Sequence, residues 1–227
     1  LAQGKMVDAI RTARRALAML GARFAKRPNK LHALLGVLKT QLMLLGRRPE
    51  TLIELPLVTD PLRREAMRMM TTVAPPAYFV EPDLVPLLVF KGVRWSLRYG
   101  YSEASPFGYV SYGLILCGVL GNIETGYRFG RLALDLVERL GGHGGRARTQ
   151  FAFYDFINHW KNHAQDSLPA LLATYQIGLE TGDFEYAADA AYLYGCYAYH
   201  AGKALVGLER EIAAHSEVFL QLGQERI

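Results

Sequence analysis

The sequence predicts an all-α protein, an irregular array of antiparallel helix pairs (an α-solenoid) with about eight to ten helices. Three observations carry that prediction. Apolar residues recur at steps of three and four along most of the chain, the period of a helix with one buried face. Gly, Asp, Asn and Pro interrupt the pattern and leave loops of about two to five residues, which force neighbouring helices to run antiparallel. No stretch alternates apolar and polar residues over the length of a strand, and no Asn-Gly hairpin signal occurs.

The elements follow in order. Met6, Ala9, Ile10, Ala13, Leu17 and Leu20 mark the apolar face of a first helix, with Arg11, Arg14 and Arg15 off it and Gly4 and Gly21 at its ends. A second helical stretch runs from His32 to Leu45 and closes at Gly46. Pro49, Pro56, Pro61, Pro75, Pro76 and Pro82 cut residues 47–82 into short pieces. Within them Asp60 is a good N-cap with Pro61 at the first helical position, opening a helix to about Val73. Asp83 opens another, to Tyr99, ended by Gly100. Ser105-Pro106 starts a helix to about Leu120, Gly121-Asn122 turns the chain, and a long helix follows to Leu140. After a flexible break at Gly141 to Gly145, further helices are expected over 146–163, 167–181, 183–200 and 203–220.

Small residues recur at helical spacing: Gly113, Cys117 and Gly121, then Gly126, Gly130 and Ala133. They let two helix backbones approach closely, as stacked helix pairs require. Pairs starting near residues 105, 146 and 183 do not keep a 34-residue period, so the array reads as irregularly tetratricopeptide-like. The division expected is a basic helical part with a Pro-rich connector over 1–82, then helical repeats over 83–227, together one continuous solenoid.

Composition bounds the rest. The chain has 227 residues, 51% hydrophobic and 21% charged, enough to bury a core and unlike a disordered tail. Cys117 and Cys196 cannot make a disulfide framework, which suits a reducing compartment and points to the cytoplasm. The chain opens on Leu1 with no signal peptide pattern, as a piece of a longer protein would. The uncharged run between Glu103 and Glu124 is broken by Gly108, Ser111, Gly113 and Gly118 and reads as a buried helix rather than a membrane span. Residues 1–72 carry 14 Lys+Arg against 5 Asp+Glu, a net of +9, and residues 73–227 carry 12 against 16, a net of −4. The basic third is expected to be a solvated helix face; nucleic-acid binding through it would be steeply salt-dependent.

Between Ser105 and Leu140 the strings Ser-Pro-Phe-Gly-Tyr-Val-Ser-Tyr-Gly-Leu-Ile-Leu and Gly-Asn-Ile-Glu-Thr-Gly-Tyr-Arg-Phe-Gly-Arg-Leu-Ala-Leu-Asp-Leu resemble the helical-repeat region of very large bacterial and fungal signalling proteins. Glu54-Leu55-Pro56 with Thr59-Asp60-Pro61, Leu97-Arg98-Tyr99-Gly100, Asn158-His159-Trp160-Lys161 and Tyr175 to Asp183 extend the likeness over nearly the whole chain. Proteins of that kind join a serine/threonine-kinase-like head, a STAND/AAA-type ATPase, this tetratricopeptide-like region, a GAF domain and often a histidine kinase. The resemblance implies a place between ATPase and GAF domain and supplies no catalytic residue. No GxxxxGK[ST], His-Arg-Asp or Asp-Phe-Gly motif occurs here.

Chemistry within the chain has few candidates. His159 and His163 lie four apart on one face of the helix expected over 146–163, with Asp155 one turn earlier, and that face could hold a metal, although no Glu follows the first His as in a zinc-protease helix. Gly141 to Gly145 lacks the preceding strand of a phosphate loop. Cys117 and Cys196 lie in apolar helices as small hydrophobes. The aromatic residues are the stronger signal, crowding the segments around Tyr99–Tyr112, Phe151–Trp160 and Tyr186–Tyr199. Most of them bridge repeats in the core. Those offset from the main stripe are candidates for a concave partner groove: Tyr109, Tyr112, His159, Tyr192 and Tyr199, with Arg98 and Lys161 as charged rims.

The expectation is a non-catalytic interaction and coupling module without cofactor. It would bind a protein partner or an adjacent domain of the same chain, with no nucleic acid and no membrane, and pairing with a second copy through the first helix is allowed. The alternatives are a small-molecule sensor with a pocket among helices 83–99, 105–120 and 147–163, and a metal-dependent enzyme using Asp155, His159 and His163.

Overall fold

The computed structural model describes residues 2–142 and 145–221. Ten α-helices account for most of them: α1 (Ala2–Met19), α2 (Lys30–Leu44), α3 (Pro61–Val80), α4 (Val85–Tyr99), α5 (Ser105–Gly118), α6 (Ile123–Arg139), α7 (Arg146–Phe156), α8 (Leu168–Thr181), α9 (Phe184–His200) and α10 (Leu205–Gln221). Short 3-10 turns cover Pro49–Glu54, Pro82–Leu84, Asn158–Trp160 and Ala164–Ser167. Among the described residues there is no β-strand, only an isolated bridge between Leu57 and Tyr101. None of these helices is long and apolar enough to cross a membrane.

Local chemistry sets the boundaries. The Asp60 carboxylate accepts hydrogen bonds from the Leu62 and Arg63 amides, with Pro61 opening α3. Asn29 and Asn122 cap α2 and α6 in the same way through His32 and Thr125. Gly182, at φ +74°, ends α8 in the left-handed region where only glycine is free of strain.

Two elements depart from the sequence expectation. Helix α3 does not stop near Val73 but continues through Pro75 and Pro76 to Val80. The two prolines remove amide donors to the carbonyls of Thr71 and Thr72. Thr71 is part-exposed and Thr72 exposed, so water can replace those donors, while Val73, Ala74 and Ala77 bury on the other face. Helix α7 is shorter than expected. It ends at Phe156, and the chain goes on as the 3-10 turn Asn158–Trp160. The buried Asn158 amide donates to Ser167 Oγ at 2.9 Å and its Oδ1 accepts from Asn162 at 2.8 Å. A short polar side chain satisfied this way competes with helix continuation.

One hydrophobic core joins α2, the 49–58 segment and α4 to α7, and includes Phe90, Val93, Tyr109, Tyr112, Phe129 and Phe153. A second joins α1 and α3 to the start of α4. Two smaller clusters join α7 to α10. Contacts therefore run across residue 82 in both of the first two cores. The 49–58 segment is further held by Val58 and Tyr101 amides donating to the Tyr101 and Pro56 carbonyls, and by a bidentate Arg128–Glu50 pair at 2.5 and 2.6 Å.

Small residues close two of the helix pairs. A Cβ at Gly113 of α5 would stand 2.7 Å from the Gly126 carbonyl of α6, and one at Gly178 of α8 would stand 2.7 Å from Ala187 Cβ of α9. The connections between these helices are so short that each pair must be antiparallel.

Candidate functional site

The structure scatters the residues proposed for a partner groove. Tyr109 and Tyr112 are core side chains, each 1% exposed, packed against Phe129 with ring centroids 6.0 and 4.8 Å away. This corrects their assignment to a groove: an i, i+3 offset on α5 still faces inward, because α4 and α6 cover both sides of that helix. Burial raises both phenols, that of Tyr112 to about 12.

Arg98 is exposed at the end of α4, with its guanidinium 5.3 Å from the Tyr99 ring. His159 and Lys161 are exposed in the α7–α8 connection. Lys161 is already engaged, 2.6 Å from Glu124 and 5.2 Å from the Tyr127 ring centre, and ties that connection to α6. Tyr192 and Tyr199 project from α9 at 72% and 59% exposure.

The metal arrangement of Asp155, His159 and His163 does not form. It required one continuous helix, and α7 ends before His159. His163 instead caps the next 3-10 turn, its Nδ1 accepting from the Gln165 amide at 3.2 Å. Among the described residues no three His, Cys, Asp or Glu side chains are placed to hold a metal ion. Asp155 is half-buried, and the loss of water raises its carboxyl while nearby His159 partly offsets that. The break at Gly141 to Gly145 has left-handed glycines at 141, 142 and 145; residues 143–144 lie outside the described residues.

The interior expected to hold a small-molecule pocket is filled by the rings of Tyr109, Tyr112 and Phe153. The gap beside Ser96, Ser105 and Tyr109 measures about 10 Å³.

Larger apolar surfaces lie elsewhere. Between α9 and α10 an open groove of about 410 Å³ is lined by Tyr192, Gly195, Cys196, Ile212, His215 and Phe219. Gly195 brings the helices together, since a Cβ there would meet Ile212 Cδ1 at 3.1 Å. Lys203 Nζ holds the other end by donating to Tyr194 at 2.7 Å and to Glu211 at 2.7 and 2.8 Å. The His215 ring lies tilted 4.6 Å from Tyr175 and its Nδ1 has no hydrogen-bond partner among the described residues; burial lowers its basicity, partly offset by Glu211. Of the residues proposed for a groove, Tyr192 is the one found here.

A further apolar surface is the outer side of α2. Its inner side, Gly36, Val37 and Thr40, is buried on α4. Arg94 Nη1 donates to the Gly36 carbonyl at 3.0 Å and to Thr40 Oγ1 at 2.9 Å, which fastens the helix. Outside, Leu31, Leu34, Leu35, Leu38, Leu42 and Leu45 are all exposed, the last two at 72% and 78%. Contiguous exposed apolar surface of this kind is a mark of interaction sites. The sequence carried the signal in the spacing of those leucines, but a helix apolar on both sides reads as ordinary core when neighbours are unknown.

No family model matches the chain, and no solved structure matches it. Part of the chain is similar to hybrid signal transduction histidine kinase G of Dictyostelium discoideum, 27% identical over 129 residues, or 56% of this chain. The matched stretch covers 4% of that protein's length. The likeness is thus to a small region of a signalling protein.

Proposed function

We propose that this chain is a non-catalytic, tetratricopeptide-like interaction and coupling module of a multidomain signalling protein. It would dock a protein partner or a neighbouring domain and pass that event on through the stacking of its helix pairs. The observation that carries the reading is the solvent-facing leucine surface of α2, on a helix whose opposite side is firmly bound to the body. Three further observations support it. The α5–α6 and α8–α9 pairs are both closed by glycine against a small neighbour, as in stacked helix repeats. The α9–α10 groove offers a second apolar surface with Tyr192 at its edge. The similarity to part of a histidine kinase supports a signalling-related role.

The test is phosphotransfer output from a signalling polypeptide containing this chain, with Tyr192→Ala and Ile212→Ala in the groove and, separately, Leu38→Glu in α2. Altered output with unchanged helical content and melting temperature is expected for at least one of the two surfaces. Unchanged output from both overturns the reading.

A further inference from the structure

From residue 9 to residue 49 the chain carries ten Lys and Arg and no Asp or Glu. Helix α2 lies within that span. At 100° per residue the six exposed leucines occupy a stripe about 100° wide, and Lys30 and Lys39 fall on its two opposite edges. Lys26, Arg27, Arg47 and Arg48 are exposed just beyond the helix ends. None of these six cations has a carboxylate partner among the described residues, whereas Arg11, Arg14, Arg68 and Arg128 do. The surface is an apolar seam inside an unneutralised cationic frame.

We propose that this seam receives an amphipathic helix whose flanks are acidic, laid along α2 with its own apolar stripe against the leucines. The inference rests on the interaction-module reading above and names the surface and the chemistry of its partner. Leu31, Leu38 and Leu45 repeat at seven residues, with Leu34, Leu35 and Leu42 between them, the spacing that accepts side chains from a second helix. Glutamates flanking such a helix would meet Lys30 and Lys39, and the ring of cations would speed encounter and exclude basic helices. Two other coverings fit less well. A second copy docked α2 to α2 would bring two cationic frames together. A lipid surface would be expected to draw on Trp, Tyr or Phe at its boundary, and residues 30–45 contain none.

The experiment uses the whole 227-residue chain and a synthetic helix of about three heptads with Leu at the a and d positions and Glu on the flanks. A second peptide replaces Glu by Lys. Calorimetric titration should show micromolar binding of the Glu peptide, at least about tenfold weaker binding of the Lys peptide, and weakening with added salt. Leu38→Glu with Leu42→Glu should abolish binding while the melting temperature holds, because both side chains are exposed. Lys30→Glu with Lys39→Glu, which leaves the leucines intact, should reverse the preference between the peptides. Absence of binding overturns the proposal, as does binding that neither pair of changes affects. Sedimentation with phosphatidylserine vesicles without peptide discrimination would assign the seam to a membrane. Dimerisation lost in the Leu38→Glu, Leu42→Glu chain, without peptide binding, would assign it to a second copy. If the peptide fails while the Tyr192 and Ile212 changes still alter phosphotransfer, this proposal falls and the interaction-module reading stands.

Discussion

Gly36 of α2 rests directly against the ring of Phe90 in α4: a Cβ at residue 36 would stand 2.7 Å from Phe90 Cδ2. The Gly36 carbonyl accepts from Thr40 within α2 and from Arg94 of α4, so glycine at this position lets the leucine helix sit close enough for the Arg94 bond to form. Gly36→Ala gains helix propensity worth about 1 kcal/mol but forces the ring or the helix to move, an overpacking cost of about 1–3 kcal/mol. Net destabilisation is expected, with faster amide exchange in α2 than in α5. A melting temperature equal to or above that of the parent chain would refute it.

The α5–α6 crossing is stricter, because backbone stands behind the nearest side chain. A Cβ at Gly126 would meet Cys117 Sγ first, then the Gly113 carbonyl at 2.7 Å and the Cys117 amide nitrogen at 3.1 Å. The last two cannot rotate away as a side chain can. Gly126→Ala should cost more than Gly36→Ala, about 2–4 kcal/mol, read from chemical denaturation of the two variants side by side.

Tyr109 makes the opposite case. Its hydroxyl is buried and makes no hydrogen bond among the described residues, while Ser96 Oγ donates to the Gly92 carbonyl and pairs with Ser105 Oγ. Removing an unsatisfied buried hydroxyl costs little. Tyr109→Phe should be neutral or stabilising by up to about 1 kcal/mol, where Tyr109→Ala should lose about 3–5 kcal/mol through the cavity it leaves. A clear loss of stability in Tyr109→Phe would show that the hydroxyl has a partner.

Asp189 on α9 is held at about 6, against an ordinary 3.8, by burial first and then by the charges of Glu185 and Asp155. An acid raised in the folded state keeps its proton when the unfolded chain has lost its own, so stability falls as pH rises from about 4 to about 6. Asp189→Asn should therefore raise the melting temperature at pH 7 and lose that advantage below about pH 4. Because the side chain is partly solvated, the gain is discounted to about 1 kcal/mol, or about 2–4 °C. Thermal melts across that pH range decide it, and a gain that grows on acidification would contradict the assignment.

The all-helical character was legible along the chain because it is local: the three-and-four spacing, the Asp60-Pro61 and Asn122 caps and the left-handed Gly182 each act within a few residues. The close pairing of Gly113 with Gly126 was legible too, since small residues at helical spacing have few other uses. What the spacing leaves open is which neighbour covers a given face. Tyr109 and Tyr112 looked offset from the core and are inside it, because α4 and α6 close over them from both sides. Asp155, His159 and His163 looked like one face and are not, because Asn158 finds Ser167 nine residues on and ends the helix. Helix α2 read only as a helical stretch; it exposes five leucines, and Leu45 at its C-cap, because α4 packs on one side and nothing among the described residues covers the other. Periodicity is fixed by residues within a turn of each other, so the sequence alone determines it. Burial is fixed by helices far apart along the chain, and only the tertiary structure decides that.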